Sequence, residues 1–218
     1  MRWPGDRPSP RLGALLEVGA VAAFSLGVIA QFVQWTDPTF PLAYFTIDSA
    51  ALFVIVTVMH RLVPAWRAGR ALRDALTPAV VLSGVVYATV IAPAVNGGAW
   101  FAPHDDWVCR TAQVLVHGVG PVLALALAWA QPAPAWPPKP ALWWLAWPLG
   151  YLAVVLALGI SPYAFLAPGV PAVQLVGAVI VLAGAFVAIS WLCVLVARAG
   201  WRAAVAHPSA TDALGPDA

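Results

Sequence analysis

The chain has 218 residues, of which 62% are hydrophobic and only 9% are charged, with a formal net charge of +2. A soluble globular domain carries about 25% charged residues, so the composition excludes a protein with an ordinary water-exposed surface. The chain shows no signature of nucleic-acid binding, and its length limits it to six or seven membrane-spanning helices of about 20 residues each.

Six continuous apolar blocks predict six transmembrane helices, at 12–33, 41–63, 78–95, 107–130, 142–160 and 170–197. The blocks do not alternate with period two, which favours helices over a β-barrel. Clusters of Pro, Gly and Asp separate them, as is typical of loops. We therefore predict one all-α integral membrane domain over residues 1–202, followed by a disordered tail at 203–218.

The placement of the basic residues predicts the orientation. Cytoplasmic loops of membrane proteins collect Lys and Arg. With the N-terminus inside, all of the 11 Lys and Arg residues except Arg110 fall on the cytoplasmic side. We expect both termini to be cytoplasmic and the chain to lie in a bacterial plasma membrane. Cys109 and Cys193 then fall near opposite faces of the bilayer, too far apart to pair.

A few ionisable residues fall at membrane depth, where each costs about 2.5–3.5 kcal/mol on insertion scales. They are Glu17, Asp48, Arg110 and His117. Glu17, near the inner end of helix 1, is expected to be structural. It either reaches the interface or meets His60 or an arginine of an inner loop.

The fourth block carries a polar stripe. Arg110, Gln113 and His117 are spaced i, i+3, i+7 and therefore lie along one face of the helix. Gly118 leaves room beside the imidazole, and Pro121 removes the backbone hydrogen bond to the carbonyl of His117. The stripe descends from the outer surface and ends at the histidine.

Thr46 in the second block falls at the same depth as His117, about 7–15 Å below the outer surface at 1.5 Å per residue. A hydroxyl and an imidazole at matched depth can meet, and Ser49 lies one turn below Thr46 on the same face. Structural interpretations compete with this one. A threonine in a spanning helix often bonds to its own helix, and a histidine there can simply join two helices.

Asp48 is about 200° around the helix from Thr46, at 100° per residue, so it points elsewhere. Two interpretations stay open: a hydrogen bond to Gln31 or Gln34 at the outer end of helix 1, or a protonated carboxyl held neutral by burial.

Three short segments, "YFTIDS", "LVHGVGPVL" and "SPYAFL", together resemble the bacterial six-helix branch of the androgen-induced-gene, or FAR-17a-like, membrane proteins. The resemblance extends from helix 1 to helix 6. In that branch helix 2 usually reads like "YFTIQSN" and the last outer loop like "PYPFL". This chain departs at Asp48, at Ala50 and in "PYAFL".

The resemblance implies an activity, because animal relatives hydrolyse fatty acid esters of hydroxy fatty acids with a membrane-embedded threonine and a histidine. Carried over by motif, the nucleophile is Thr46 and its partner is His117. We therefore expect a lipid-ester hydrolase, without metal or cofactor, that acts on a fatty acyl ester. The candidate substrate-binding residues are Ser49, Asp48, Gln113, Arg110, Asn96, Tyr87 and Tyr163.

Two other classes of function stay open. One is a non-catalytic lipid or ligand binder; His60 and His117 lie at opposite depths and cannot share one haem iron. The other is a small transporter or proton pathway through Glu17, Asp48 and His117, against which the absence of internal repeats weighs. The sequence sets neither the physiological substrate nor the oligomeric state.

Overall fold

The computed structural model describes residues 10–36, 39–63, 65–95, 97–131 and 140–206. Within these ranges the regular structure is entirely helical, without a strand. The tail at 207–218, predicted to be disordered, lies outside the described residues.

Nine α-helices and two π-helical turns are described, in part directly continuous with one another. In chain order they are α1 Pro10–Val33, α2 Phe45–Leu62, α3 Arg67–Val86, the π turn Tyr87–Ile91, α4 Ala92–Val95, α5 Trp107–Val114, the π turn Leu115–Val119, α6 Gly120–Ala130, α7 Pro140–Trp144, α8 Ala146–Ala157 and α9 Ala172–Ala206.

Five spans are long and apolar enough to cross a membrane, and they identify a multi-pass membrane protein. They are Arg11–Val33, Phe45–Leu62, Ala68–Ala94, Trp107–Ala130 and Ala172–Arg202. They correspond to five of the six predicted helices.

The fifth predicted block, 142–160, forms a shorter apolar helix. α8 has 12 residues, about 18 Å at 1.5 Å per residue, against a hydrocarbon core of about 30 Å. Its end is set by Gly159, whose φ of 65° closes a Schellman motif. The amides of Gly159 and Ile160 bond back to the carbonyls of Leu156 and Val155.

The third helix begins earlier than predicted. α3 starts at Arg67 and contains Pro78 in its interior, where the block was expected to begin. Arg70 and Arg73, expected in a loop, are helical because the carboxylate of Asp74 lies 3.7 Å from each of their guanidinium groups. Charge pairing thus lets the helix extend beyond its apolar segment.

The main core lies between α1, α2, α3 and α6. Phe24 and Phe53 meet with ring centroids 5.3 Å apart, and both are fully buried together with Val80, Ala124 and Leu127. α9 packs on α3 through Phe186 in a second cluster. The two cysteines are buried and free, which confirms that they do not pair.

The end of the bundle that carries Arg11, Arg61, Arg70, Arg73 and Arg198 is called the arginine-rich end below. Glu17 of α1 lies there, 2.8 Å from Arg61 Nε and 3.3 Å from Arg73 Nη1. The expectation that Glu17 meets an arginine is confirmed. Arg73 also donates to Gln131 Oε1, at the end of α6. This one buried guanidinium joins three helical segments: α3, α1 and the end of α6.

Arg73→Met is expected to lower the free energy of unfolding by about 3–5 kcal/mol, because it removes the buried partner of Glu17 and leaves that carboxylate with only the exposed Arg61. Arg61→Met is the matched control. The Arg61 side chain is 62% exposed, against 4% for Arg73, so its loss should cost no more than about 1 kcal/mol. Reversible unfolding in detergent measures both. Equal losses of unfolding free energy in the two variants would contradict the assignment of Arg73 as the buried partner of Glu17.

Candidate functional site

His117 lies in a π-helical turn whose cause is visible in the sequence. Pro121 has no amide hydrogen, so the carbonyl of His117 loses its usual α-helical donor. The amide of Gly120 instead bonds to the carbonyl of Leu115, which widens the turn over Leu115–Val119. Single π turns inside α-helices occur frequently at functional sites.

A second π turn with the same cause faces the first. Over Tyr87–Ile91 the amide of Ala92 bonds to the carbonyl of Tyr87, and Pro93 follows directly. The Tyr87 ring stacks on the imidazole of His117, with centroids 4.1 Å apart and an interplanar angle of 20°. The stacked ring fixes the plane of the histidine.

Gly84, one turn before Tyr87, permits this close approach. A Cβ at this position would lie 2.6 Å from the carbonyl oxygen of His117. That contact is with backbone, which cannot rotate away. The helices of Tyr87 and His117 therefore meet closely because residue 84 has no side chain.

The loop at 97–106 covers the stacked pair. The Tyr87 hydroxyl donates to the carbonyl of Trp100 at 2.6 Å, and the two rings are 5.1 Å apart. Gly97 and Gly98, with φ of 62° and 90°, let the chain turn sharply before Trp100.

Asp106 fixes the other end of this loop. Its carboxylate accepts from the amide of Cys109 at 2.8 Å, capping α5, and from the hydroxyl of Thr36 at 2.7 Å. These two hydrogen bonds hold the pKa of Asp106 below its ordinary value. The carboxylate thereby joins the end of α1 to the start of the helix that carries His117.

Two polar atoms beside the histidine lack a partner. Nδ1 of His117 and Oε1 of Gln113 are both buried without a hydrogen bond of normal geometry to any described residue. Buried polar groups in native structures nearly always have a partner, from protein or ordered water. These two atoms therefore need a hydrogen-bond partner that the described residues do not supply with normal geometry.

Thr46 lines an apolar cavity of about 140 Å³ between α2, α3, α8 and α9. Phe45 and Thr46 of "YFTIDS" meet Tyr163, Phe165 and Leu166 of "SPYAFL" in its wall. Two of the three segments that carry the family resemblance thus form one surface, although 118 residues separate Phe45 from Tyr163.

Tyrosine hydroxyls hold the start of α2 at this cavity. The amide of Phe45 donates to the Tyr163 hydroxyl at 3.0 Å, and the Tyr151 hydroxyl donates to the carbonyl of Ala43 at 2.5 Å. Burial raises the pKa of the Tyr163 phenol well above its ordinary value, so it remains neutral. Tyr163, predicted to bind substrate, positions the helix that carries Thr46.

Ser49 and Asp48 are both absent from the cavity wall. Ser49 is fully buried, and its hydroxyl accepts from Trp147 Nε1 at 2.9 Å, which joins α2 to α8. Asp48 is partly exposed and lies within electrostatic range of the Tyr151 hydroxyl. The contacts of the described residues include no bond from Asp48 to Gln31 or Gln34.

Arg110 does not contribute to the cavity wall. Arg110 is exposed, donates from Nε to the carbonyl of Asp105 at 3.0 Å, and lies 5.6 Å from the ring centre of Phe101. Its contacts are with the covering loop, and it is absent from the cavity wall. Asn96 lies outside the described residues.

The relative placement of Thr46 and His117 follows from the main core. Phe53 and Ala124 belong to one buried cluster, and Thr46 and His117 each precede one of them by seven residues, two helical turns. α2 also packs against the π turn of His117. Within the described residues no hydrogen bond joins the two side chains, and His117 is not in the cavity wall.

Three residues that shape the candidate site were missed by sequence reasoning: Gly84, Trp100 and Tyr151. The segment "YATVIAP" places Pro93 after one π turn just as "LVHGVGP" places Pro121 after the other. That repeated spacing was a usable signal for Tyr87. The contacts of Gly84, Trp100 and Tyr151 depend on tertiary packing and have no such signal.

Comparison of the chain with protein-family models, with curated proteins and with solved structures gave no match.

Gly84→Ala is expected to destabilise the protein by about 1–3 kcal/mol, because the added methyl group forces the backbone at His117 to move. Gly184→Ala is the matched control, since nothing lies within 4 Å of a Cβ there. It should leave the free energy of unfolding unchanged or raise it by up to about 1 kcal/mol. A Gly84→Ala variant with the stability of the wild type would contradict the close approach of residue 84 to the carbonyl of His117.

Proposed function

We propose that the chain is a membrane-embedded lipid-ester hydrolase in which Thr46 is the nucleophile and His117 the general base. The observation that carries the proposal is the position of Thr46 in the wall of an apolar cavity to which two of the three family-like segments contribute. The third segment supplies His117, on the π turn against which α2 packs. The resemblance to the FAR-17a-like proteins supports the same two residues.

The cavity suits a hydrocarbon chain. Its volume of about 140 Å³ is close to the roughly 150 Å³ of an engineered apolar cavity that stays dry and binds benzene. It therefore holds a segment of an acyl chain, not a whole lipid. The cavity is partly open, and in a bilayer the remainder of a bound chain extends into the surrounding lipid.

The reaction needs one base and one nucleophile. Neutral His117 removes the proton of Thr46 while Oγ1 attacks the ester carbonyl. The imidazolium then protonates the departing alcohol, leaving an acyl-threonine. Water, deprotonated by the same imidazole, releases the fatty acid and restores Thr46. No cofactor enters these steps.

The hydrogen bond between Thr46 and His117 has to form in the substrate complex. Catalytic hydrogen bonds are often long or poorly aligned in the free enzyme and tighten only when substrate is bound. Because α2 packs on the π turn of His117, we propose that a movement of α2 brings the two side chains together.

The proposed setting is a bacterial plasma membrane with the arginine-rich end in the cytoplasm. Both termini are then cytoplasmic if α7 and α8 together complete a sixth crossing. His117 and the covering loop lie near the outer leaflet in this orientation, so an ester would enter from that side.

A non-catalytic lipid-binding protein is the second candidate. The specific observation that favours it is the separation of Thr46 from His117, since a lipid carrier needs the apolar cavity but no nucleophile–base pair. Activity measurements on the variants below distinguish the two.

Thr46→Ala and His117→Ala should each lower the rate of hydrolysis of a long-chain ester at least about 100-fold, the low end of what acid–base catalysis contributes. The controls are Thr89→Ala, an exposed threonine that bonds only to its own helix at Val85, and His104→Ala in the covering loop. Both controls should keep the wild-type rate. Full hydrolysis by Thr46→Ala or His117→Ala would exclude the proposed mechanism.

Leu182→Trp should fill the cavity and raise KM for a long-chain ester, with a smaller effect on a short-chain ester that does not reach the blocked region. Leu182 lies in the cavity wall. Leu192→Trp is the control, because Leu192 is on the same helix but 48% exposed. Chain-length preference unchanged in Leu182→Trp would place the acyl chain elsewhere.

A further inference from the structure

We propose that Gln113 is a positioning residue for His117, and that one bound water links its side-chain oxygen to Nδ1 of the imidazole. This water sets the tautomer of the histidine and leaves Nε2 free as the base. The catalytic consequence rests on the proposed function, whereas the tautomer does not.

The helical spacing places the two side chains on one face of the helix. Gln113 and His117 are four residues apart on one helix, where side chains share a face with their Cβ atoms about 5–6 Å apart. Nδ1 of His117 and Oε1 of Gln113 are both buried without a hydrogen bond of normal geometry among the described residues, although the Cys109 thiol lies near the Gln113 side chain. A water that bridges them satisfies both atoms, as buried waters do with two to four polar partners.

The other contacts of His117 leave Nδ1 available for a hydrogen bond to the water. The Tyr87 ring occupies one face of the imidazole at 4.1 Å, and the Tyr87 hydroxyl is directed to Trp100. Stacking fixes the plane of the ring but contributes no acceptor for its N–H. The position of the proton is therefore decided in the plane of the ring.

The acceptor character of Gln113 then sets the tautomer. A neutral imidazole carries one N–H, and the partner of each nitrogen decides which one bears it. A water that donates to Oε1 accepts the hydrogen bond from Nδ1–H. Nε2 keeps its lone pair and can accept the proton of Thr46.

Two competing arrangements predict different results. The main-chain carbonyl of Gln113 also interacts with the imidazole; if it alone accepts from Nδ1–H, the side chain of Gln113 has no influence. If the amide of Gln113 is turned so that its NH₂ group faces the water, the proton lies on Nε2 instead.

The test is nitrogen NMR of the full-length protein in detergent, labelled with ¹⁵N-histidine, at about pH 8, where an unperturbed imidazole is neutral. The His117 signals are identified by their loss in His117→Gln. We expect a proton on Nδ1 in the wild type, and a shift of the tautomer towards protonated Nε2 in Gln113→Leu. Gln174→Leu, an exposed glutamine of α9, should match the wild type.

Wild-type protonation on Nε2, or an unchanged tautomer in Gln113→Leu, would overturn the inference. Should Gln113→Leu fail to fold, Gln113→Asn keeps the amide but shortens its reach and should give the same shift. In an active enzyme, Gln113→Leu should lower kcat at least about 10-fold with little change in KM. A shifted tautomer in a protein without esterase activity would support the inference while refuting the hydrolase.

Discussion

The arrangement of the site depends on two prolines that withhold a backbone amide. Pro93 and Pro121 each follow a π turn, and the two turns meet where Gly84 lets α3 approach the carbonyl of His117. This contact brings the Tyr87 ring onto the imidazole. Without the widened turns the two rings would project in other directions, and the covering loop would lose its attachment through Trp100.

The chain is mostly apolar, and a small set of polar contacts joins its helices at both ends of the bundle. At the arginine-rich end, Arg73 joins α1, α3 and the end of α6 through Glu17 and Gln131. At the opposite end, Asp106 joins α1 to α5, and Tyr163 joins the α8–α9 connection to α2. Of these contacts, that of Tyr163 lies in the wall of the apolar cavity and holds the start of α2, which carries Thr46.

Much of the fold is predictable from the sequence because continuous apolar runs have a direct physical meaning in a bilayer. Five of the six blocks correspond to helices long enough to span. The predicted helix bounds were wrong where a local contact or a backbone conformation outweighs hydropathy. Asp74 lets α3 begin at Arg67 although the segment is charged, and Gly159 ends the fifth helix early. The polar stripe was only partly predictable: Gln113 lies one turn before His117, but Arg110 contacts the covering loop. Ser49, which was expected to line the site with Thr46, instead accepts a hydrogen bond from Trp147.

The central claim, that Thr46 forms an acyl intermediate with His117 as its base, is tested most directly by covalent labelling. The purified protein is treated with an activated long-chain ester or a fluorophosphonate, and the modified residue is identified by mass spectrometry. The proposed mechanism predicts a single adduct on Thr46 that is lost in His117→Ala and retained in His104→Ala. Labelling at another residue, or labelling of Thr46 that persists in His117→Ala, would contradict it.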